Sequence, residues 1–215
     1  MRNWWVHGER VQMMDMVLAW SKSFLLDFQE TNETVVCSDR IVTCGSEVVH
    51  WVPPIGDLYK INTYATLNVN ENIVGMGDVI RNQHGGVMGS TVQCLEACFS
   101  PALGEAVDLL RGIEFAVDLG TLPVVIESKA WGVVELINSG SMNFTEIGLV
   151  CSDIVSRLRN GLITRVFYVP RNANTVAHSL AKLAITVDND RFWVVSFPDC
   201  VRHCIQDDLP GCFSQ

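Results

Sequence analysis

Residues 58–93, LYKINTYATLNVNENIVGMGDVIRNQHGGVMGSTVQ, decide the fold. They divide into three runs, 58–69, 73–81 and 87–93, separated by Asn70-Glu71-Asn72 and by Asn82-Gln83-His84-Gly85-Gly86. Short apolar runs bounded by Asn and Gly clusters read as strands joined by tight turns, so the stretch predicts an antiparallel three-stranded meander.

Downstream, Pro101 stands where the first turn of a helix tolerates a residue without an N–H. Leu103, Ala106, Leu110, Ile113 and Val117 share one face of a helix expected over 102–119, which Gly120 ends. Residues 123–127 are a compact β-branched run suited to a buried strand. Helices follow over 131–137, closed by Ser139-Gly140-Ser141, and over 145–159, with Ile147, Val150, Cys151, Ile154, Val155 and Leu158 inward. A fifth strand spans 162–169 and stops at Pro170. Asn174 or Thr175 caps a last helix running to residue 187, with Val176, Leu180 and Leu183 on its inner face. The order βββαβααβα implies an α/β architecture, a mixed five-stranded sheet flanked by helices.

Upstream, the paired prolines of Trp51-Val52-Pro53-Pro54 cannot lie inside a central strand or a helix, and they mark the start of the domain. Residues 34–50 show no clear period and read as a linker. Over 11–28, Val11, Met14, Val17, Leu18, Leu25 and Phe28 recur at helical spacing and predict an amphipathic helix. The expected division is therefore a helical N-terminal extension and linker at 1–50, a domain at 51–198 and a C-terminal tail at 199–215.

The 215 residues are 48% hydrophobic and 18% charged, enough apolar content for a folded core. A formal net charge of -9 argues against broad electrostatic attraction to nucleic acid, so any such binding would be local. Eight cysteines in a chain of this size do not suggest a small disulfide framework. Cys200, His203, Cys204 and Cys212 lack a paired C-x-x-C knuckle and read as incidental thiols rather than a zinc cluster. The first ten residues hold no sustained apolar region, and no apolar run reaches the ~18 residues a membrane span needs. These features predict a soluble intracellular chain with reduced thiols and no membrane contact.

The element order, together with Trp51-Val52-Pro53-Pro54, Lys60-Ile61-Asn62, the Gly75-to-Arg81 strand, Glu105, Val124-Val125-Ile126-Glu127-Ser128 and Val169-Pro170-Arg171-Asn172-Ala173-Asn174-Thr175-Val176-Ala177-His178, resembles the ribonuclease H type 1 family. Within it, the chain most resembles the plant retroelement-derived branch, and the N-terminal helix resembles the tail preceding this domain in retroelement polyproteins. The resemblance runs from about residue 51 to residue 198. It implies metal-assisted hydrolysis of the RNA strand of an RNA–DNA hybrid, with four carboxyl positions holding two Mg²⁺ ions. Mg²⁺ demands near-octahedral oxygen coordination, and the two ions activate water and stabilise the attacking and leaving oxygens.

Carried over by position, the first-strand Asp is Tyr64, the first-helix Glu is Glu105, the fourth-strand Asp is Lys129 and the last-helix position is His178, a replacement common in the plant branch. A phenol with an ordinary pKa of ~10 is a poor Mg²⁺ ligand, so Tyr64 either packs in the metal's place or stacks on a base or sugar. Lys129 has donors and no acceptor and repels a cation. Unit charges ~4 Å apart interact by ~4 kcal/mol at an effective dielectric near 20, and a divalent ion roughly doubles that. Lys129 either pairs with Glu105 or points into solvent. Glu127 and Asp78 are the carboxylates to consider as replacements. However, Glu127 occupies a position often Glu in the family without serving the metal, and Asp78 stands where the family has a small or apolar residue. His178 reads as a proton shuttle or as a hydrogen-bonded structural residue.

Arg171 and Asn174 are the candidate phosphate contacts, against the plainer reading of a solvated Arg171 and a helix-capping Asn174. The short stretch between Asn138 and Thr145 leaves no room for the extra basic helix that some family members use to grip hybrids. The resemblance thus implies a nucleic-acid-binding domain, for RNA–DNA hybrid or double-stranded RNA, with weak or lost hydrolase activity. Mg²⁺ is the expected cofactor, with Glu105 its one retained ligand. Two readings compete: an active Mg²⁺-dependent endoribonuclease using Glu105, His178 and a recruited carboxylate, and a protein-interaction scaffold that binds partners through the N-terminal helix.

Overall fold

The structure, a computed structural model, describes residues 50–140 and 144–209. The expected helix over 11–28 lies outside the described residues. Strands β1 (Tyr59–Asn68), β2 (Ile73–Arg81) and β3 (Val87–Glu96) form the antiparallel meander, with register Tyr64 to Gly77 between β1 and β2 and Asp78 to Thr91 between β2 and β3. Asn72 (φ 53°) and Gly85 (φ 77°) supply the left-handed residues of the two turns. In the second turn Asn82 Oδ1 accepts from the N–H groups of His84 and Gly86 at 3.0 and 2.9 Å.

Helix α1 (Pro101–Asp118) starts with the Ser100 hydroxyl accepting from Leu103 N–H, and Pro101 occupies its first turn. Strand β4 (Val124–Ser128) pairs parallel to β1, and helices α2 (Trp131–Ser139) and α3 (Glu146–Arg159) follow. Thr145 caps α3 by accepting from Gly148 N–H. Strand β5 (Ile163–Tyr168) pairs parallel to β4, and α4 (Thr175–Ala184) follows a short 3-10 turn.

The sheet has six strands in the order β5-β4-β1-β2-β3-β6, which corrects the expected five. Strand β6 (Arg191–Val194) pairs antiparallel with β3. No residue of β6 is fully buried, so it carries none of the alternation that marks a half-buried strand, and backbone pairing with β3 makes it. The chain also packs beyond residue 198. A 3-10 turn leads into α5 (Arg202–Asp207), and Val201, Cys204 and Ile205 join Val79, Val92, Val176 and Leu180 in the cluster beneath α4. The larger core lies on the other face, where Ile61, Ile80, Leu109, Ile113, Ile126, Ile154 and Ile163 are sealed between the sheet and α1–α3.

Helix α1 is rotated from the expected face: Leu109 and Ala116 are fully buried, whereas Val117 is exposed. The periodic reading missed this because the inward stripe includes Asp108 and Gly112, which lie over Asp78 and Thr63. A Cβ on Gly112 would stand 3.0 Å from Asp78 Oδ1 and 3.1 Å from Thr63 Cγ2. Asp78 accepts from the Thr91 hydroxyl through one oxygen, while its other oxygen and one of Asp108 have no partner.

Burial pushes Asp78 up to about 7, against the Thr91 hydroxyl and the Arg111 charge. Burial, then the charge of Asp78, raises Asp108 well above the carboxylate range. The folded chain therefore keeps protons that the unfolded chain releases near pH 3.8, so this pair's contribution to stability is fully present at lower pH and is lost as pH rises towards about 7. The melting temperature is expected to fall across that window and Asp78→Asn to flatten the fall; an unchanged slope in the variant would contradict this. Among the described residues no helix is long and apolar enough to cross a membrane.

Candidate functional site

Four side chains meet where β1 and β4 run side by side. Thr63 is paired with Ser128, so one further residue along each strand sets Tyr64 beside Lys129. Lys129 sits in the tight link to α2, where Trp131 N–H donates to its carbonyl at 2.9 Å. Its Nζ lies 4.7 Å from the centre of the Tyr64 ring, a cation–π contact. The same Nζ is 3.7 Å from Glu105 Oε1, which α1 brings from its second turn. Both side chains are shielded, at 15% and 14% exposure, so the ion pair is screened less than one in open water. Of the two readings of Lys129, the pairing with Glu105 is the one found.

Tyr64 is buried against Ala177 and Ala181 of α4, and its ring centre is 4.5 Å from that of His178. Gly77 makes this approach possible, since it is the cross-strand partner of Tyr64 and presents only a hydrogen to α4. Arg171 donates to His178 Nε2 at 2.7 Å; because a guanidinium only donates, the ring proton sits on Nδ1. Burial first, then the charges of Arg171, Lys182 and Lys129, bring His178 down to about 4. The imidazole is therefore neutral at physiological pH, and its Nε2, the ring nitrogen without a proton, already accepts from Arg171. Lys182, one helical turn beyond His178, was not singled out from the sequence; only that four-residue spacing could have flagged it.

Asn174 is buried. Its residue is 1% exposed, its Nδ2 donates to Thr63 O at 2.9 Å, and its Oδ1 accepts from no N–H at the start of α4. The side chain thus does not cap α4, which corrects that expectation, and the residue ties α4 to β1. Arg171 is exposed. Neither replacement carboxylate reaches the site. Asp78 pairs with Thr63 and faces α1, on the opposite side of the sheet from Tyr64, because successive strand residues alternate. Glu127 is held by Lys60 and, at 2.9 Å, by Asn62 Nδ2.

A pair of Mg²⁺ ions does not fit these side chains. One carboxylate, Glu105, is present, and a lysine ammonium stands beside it. The phenol lies against an imidazole whose Nε2 is already engaged. Among the described residues no group of three or more His, Cys, Asp or Glu is arranged to hold a metal ion.

A family model described as reverse transcriptase-like matches residues 62–184. No curated protein is significantly similar in sequence. Among solved structures, the fold is similar to the N-terminal RNase H domain of Rv2228c from Mycobacterium tuberculosis, with 22% identity, a TM-score of 0.50, and 61% of this chain and 95% of that one covered. It is also similar to RNase H1 from the halophilic archaeon Halobacterium salinarum NRC-1, at 16% identity, TM-score 0.51 and coverage of 60% and 97%. LC11-RNase H1, isolated from compost by a metagenomic approach and solved in complex with an RNA/DNA hybrid, is similar at 17% identity, TM-score 0.53 and coverage of 60% and 96%.

Proposed function

The chain belongs to the reverse transcriptase-like family and has an RNase H fold, and from that premise we propose that it binds nucleic acid but has lost the hydrolysis of RNA–DNA hybrids. One observation carries the reading: the Lys129 ammonium stands 3.7 Å from Glu105 Oε1 and over the Tyr64 ring, among the positions from which the resemblance expects magnesium to be held. A cation fixed there repels a divalent ion and satisfies the carboxylate that would have held it. Water activation and neutralisation of the leaving oxygen fail together, because both depend on the ions. The solved complex of LC11-RNase H1 with an RNA/DNA hybrid supports a duplex as the ligand class. The run from Val169 to His178 supports placing the chain in the plant retroelement-derived branch, with the segment before residue 51 as an extension available to a protein partner.

The test is cleavage of an RNA–DNA hybrid in Mg²⁺ and in Mn²⁺. The native chain is expected to be inert, and the Tyr64→Asp, Lys129→Asp double variant to recover measurable turnover. Robust cleavage by the native chain, abolished by Glu105→Ala, would overturn the reading in favour of an active endoribonuclease.

A further inference from the structure

The sheet ends at β6, and among the described residues no strand lies against the edge that β6 turns away from β3. The register tells which backbone groups stand on that edge. Val195 N–H donates to Met88 O at 2.9 Å, in a ladder that sets Val194 opposite Gly89 and Phe192 opposite Thr91. Residues of an antiparallel pair bond inward and outward by turns. Arg191 and Trp193, like Val195, therefore face β3, while Phe192 and Val194 point their N–H and C=O outward. Their side chains are uncovered as well, at 55% and 64% exposure. Both lie on one face of the sheet, where the Phe192 ring centre is 6.0 Å from that of Phe115. Free strand edges are commonly guarded by a charge, a proline or a bulge, and β5 at the other end of the sheet carries an exposed Arg165. Phe192-Trp193-Val194 has no such guard. Just beyond, Val195 takes φ 51°, a costly conformation for a β-branched residue, and the strand stops.

We propose that this edge docks a second copy of the chain, β6 against β6, antiparallel about a two-fold axis at Trp193. The register is self-complementary. With Trp193 opposite its counterpart, Phe192 of each copy stands opposite Val194 of the other. These are the residues with outward N–H and C=O groups, so each such pair exchanges both backbone hydrogen bonds. Each pair also sets an aromatic ring against a β-branched side chain, a favourable cross-strand combination, and continues the apolar surface that starts at Phe115. The neighbouring registers are poorer. An axis at Phe192 puts Asp190 opposite Val194, and the Asp190 carboxylate already accepts from Cys94 N–H at 3.0 Å. An axis at Val194 puts Phe192 opposite Ser196, past the bend at Val195. Strands β2 and β3 separate β6 from β1, so the docking does not depend on the site at Tyr64 and Lys129.

The experiment is sedimentation equilibrium of the full chain over a concentration series, with amide hydrogen exchange followed by NMR on the same samples. A reversible dimer is expected. Two copies of net charge -9 repel, so raising the salt from about 0.05 to about 0.5 M should strengthen the dimer about threefold, the reverse of a contact built on ion pairs. Val194→Pro removes an outward N–H and no bond to β3, and Val194→Asp sets an unpaired carboxylate against the ring. Each should weaken association at least about tenfold. Val69→Asp makes the same charge change at an exposed valine just after β1 and should leave association unchanged. Exchange at Phe192 and Val194 should slow about tenfold from dilute to concentrated protein, while Arg191 and Trp193, already bonded to β3, should not change. A monomer at every concentration up to about 1 mM would overturn the proposal. So would a dimer that both Val194 variants leave intact in chains melting like the native one, which would assign association to another surface. Protection of Phe192 and Val194 that does not vary with concentration would also overturn it, by showing that a segment of the same chain covers the edge.

Discussion

Gly77→Ala is expected to destabilise the chain by on the order of 3 kcal/mol or more. A Cβ at that position would stand 2.2 Å from the backbone nitrogen of Ala181 and 2.6 Å from both the carbonyl carbon and the Cβ of Leu180. Those atoms belong to the body of a helix, so no rotamer change relieves the overlap and α4 must lift from the sheet. Lifting α4 also separates His178 from Tyr64, since Ala177 and Ala181 are what Tyr64 packs against. Gly86→Ala is a useful contrast, because the nearest atoms its Cβ would meet belong to the side chain of Asn82, at 3.1 Å. Chemical denaturation of the two variants would decide the point. A Gly77→Ala midpoint equal to that of Gly86→Ala would show that α4 does not bear on the sheet as closely as described.

The second large effect concerns the buried guanidinium of Arg81, and Asp208→Ala is expected to cost ~3–5 kcal/mol. Arg81 is 1% exposed, donates to Asp208 Oδ2 at 2.7 Å and to Asn62 Oδ1 at 2.9 Å, and stacks on Trp51 with its central carbon 3.6 Å from the ring centre. Burial lowers the pKa of Arg81, and the charge of Asp208 opposes that shift. Removing the carboxylate leaves a charge out of water without its partner, which costs more than the pair contributes while intact. The double variant Arg81→Met, Asp208→Leu is accordingly expected to be milder than Asp208→Ala alone. Urea unfolding of both tests this; a cost for Asp208→Ala below about 1 kcal/mol would mean that water reaches Arg81. The same pair explains why Trp51-Val52-Pro53-Pro54 stands where it does. Trp51 covers Arg81, and Val52 O accepts from Lys60 at 2.6 Å, so this segment seals one end of a polar chain running Glu127–Asn62–Arg81–Asp208.

Most of the candidate site was legible in the sequence because its members belong to elements with strong local signatures. Tyr64 and Lys129 lie on or just past strands bounded by turn formers, Glu105 follows a proline-started helix, and His178 lies just beyond Pro170 and Asn174. What local pattern could not supply was direction. Asn174 is followed by a helix and so reads as a cap, yet its Oδ1 accepts from no N–H of that helix and its Nδ2 donates to Thr63 across the fold. Asp78 is near Tyr64 in the chain, yet it points to the opposite face. Pairing Lys129 with Glu105 or releasing it to solvent are equally compatible with the sequence, because residues 105 and 129 meet only through the sheet and α1.

By itself, the amino-acid order determined the meander, the helices and the α/β class, and it puts Tyr64 and Lys129 where the resemblance expects carboxylates. Those properties depend on periodicity, turn chemistry and residue identity, which are local. Only the tertiary structure decided that residues 191–194 form a strand, that Asp208 is part of the core, and that Asp78 and Asp108 are buried within electrostatic reach of each other. Each of these depends on a partner far along the chain. An edge strand takes its form from the backbone of its neighbour, and a buried charge persists only where its counterpart is placed, so neither leaves a periodic trace in its own segment.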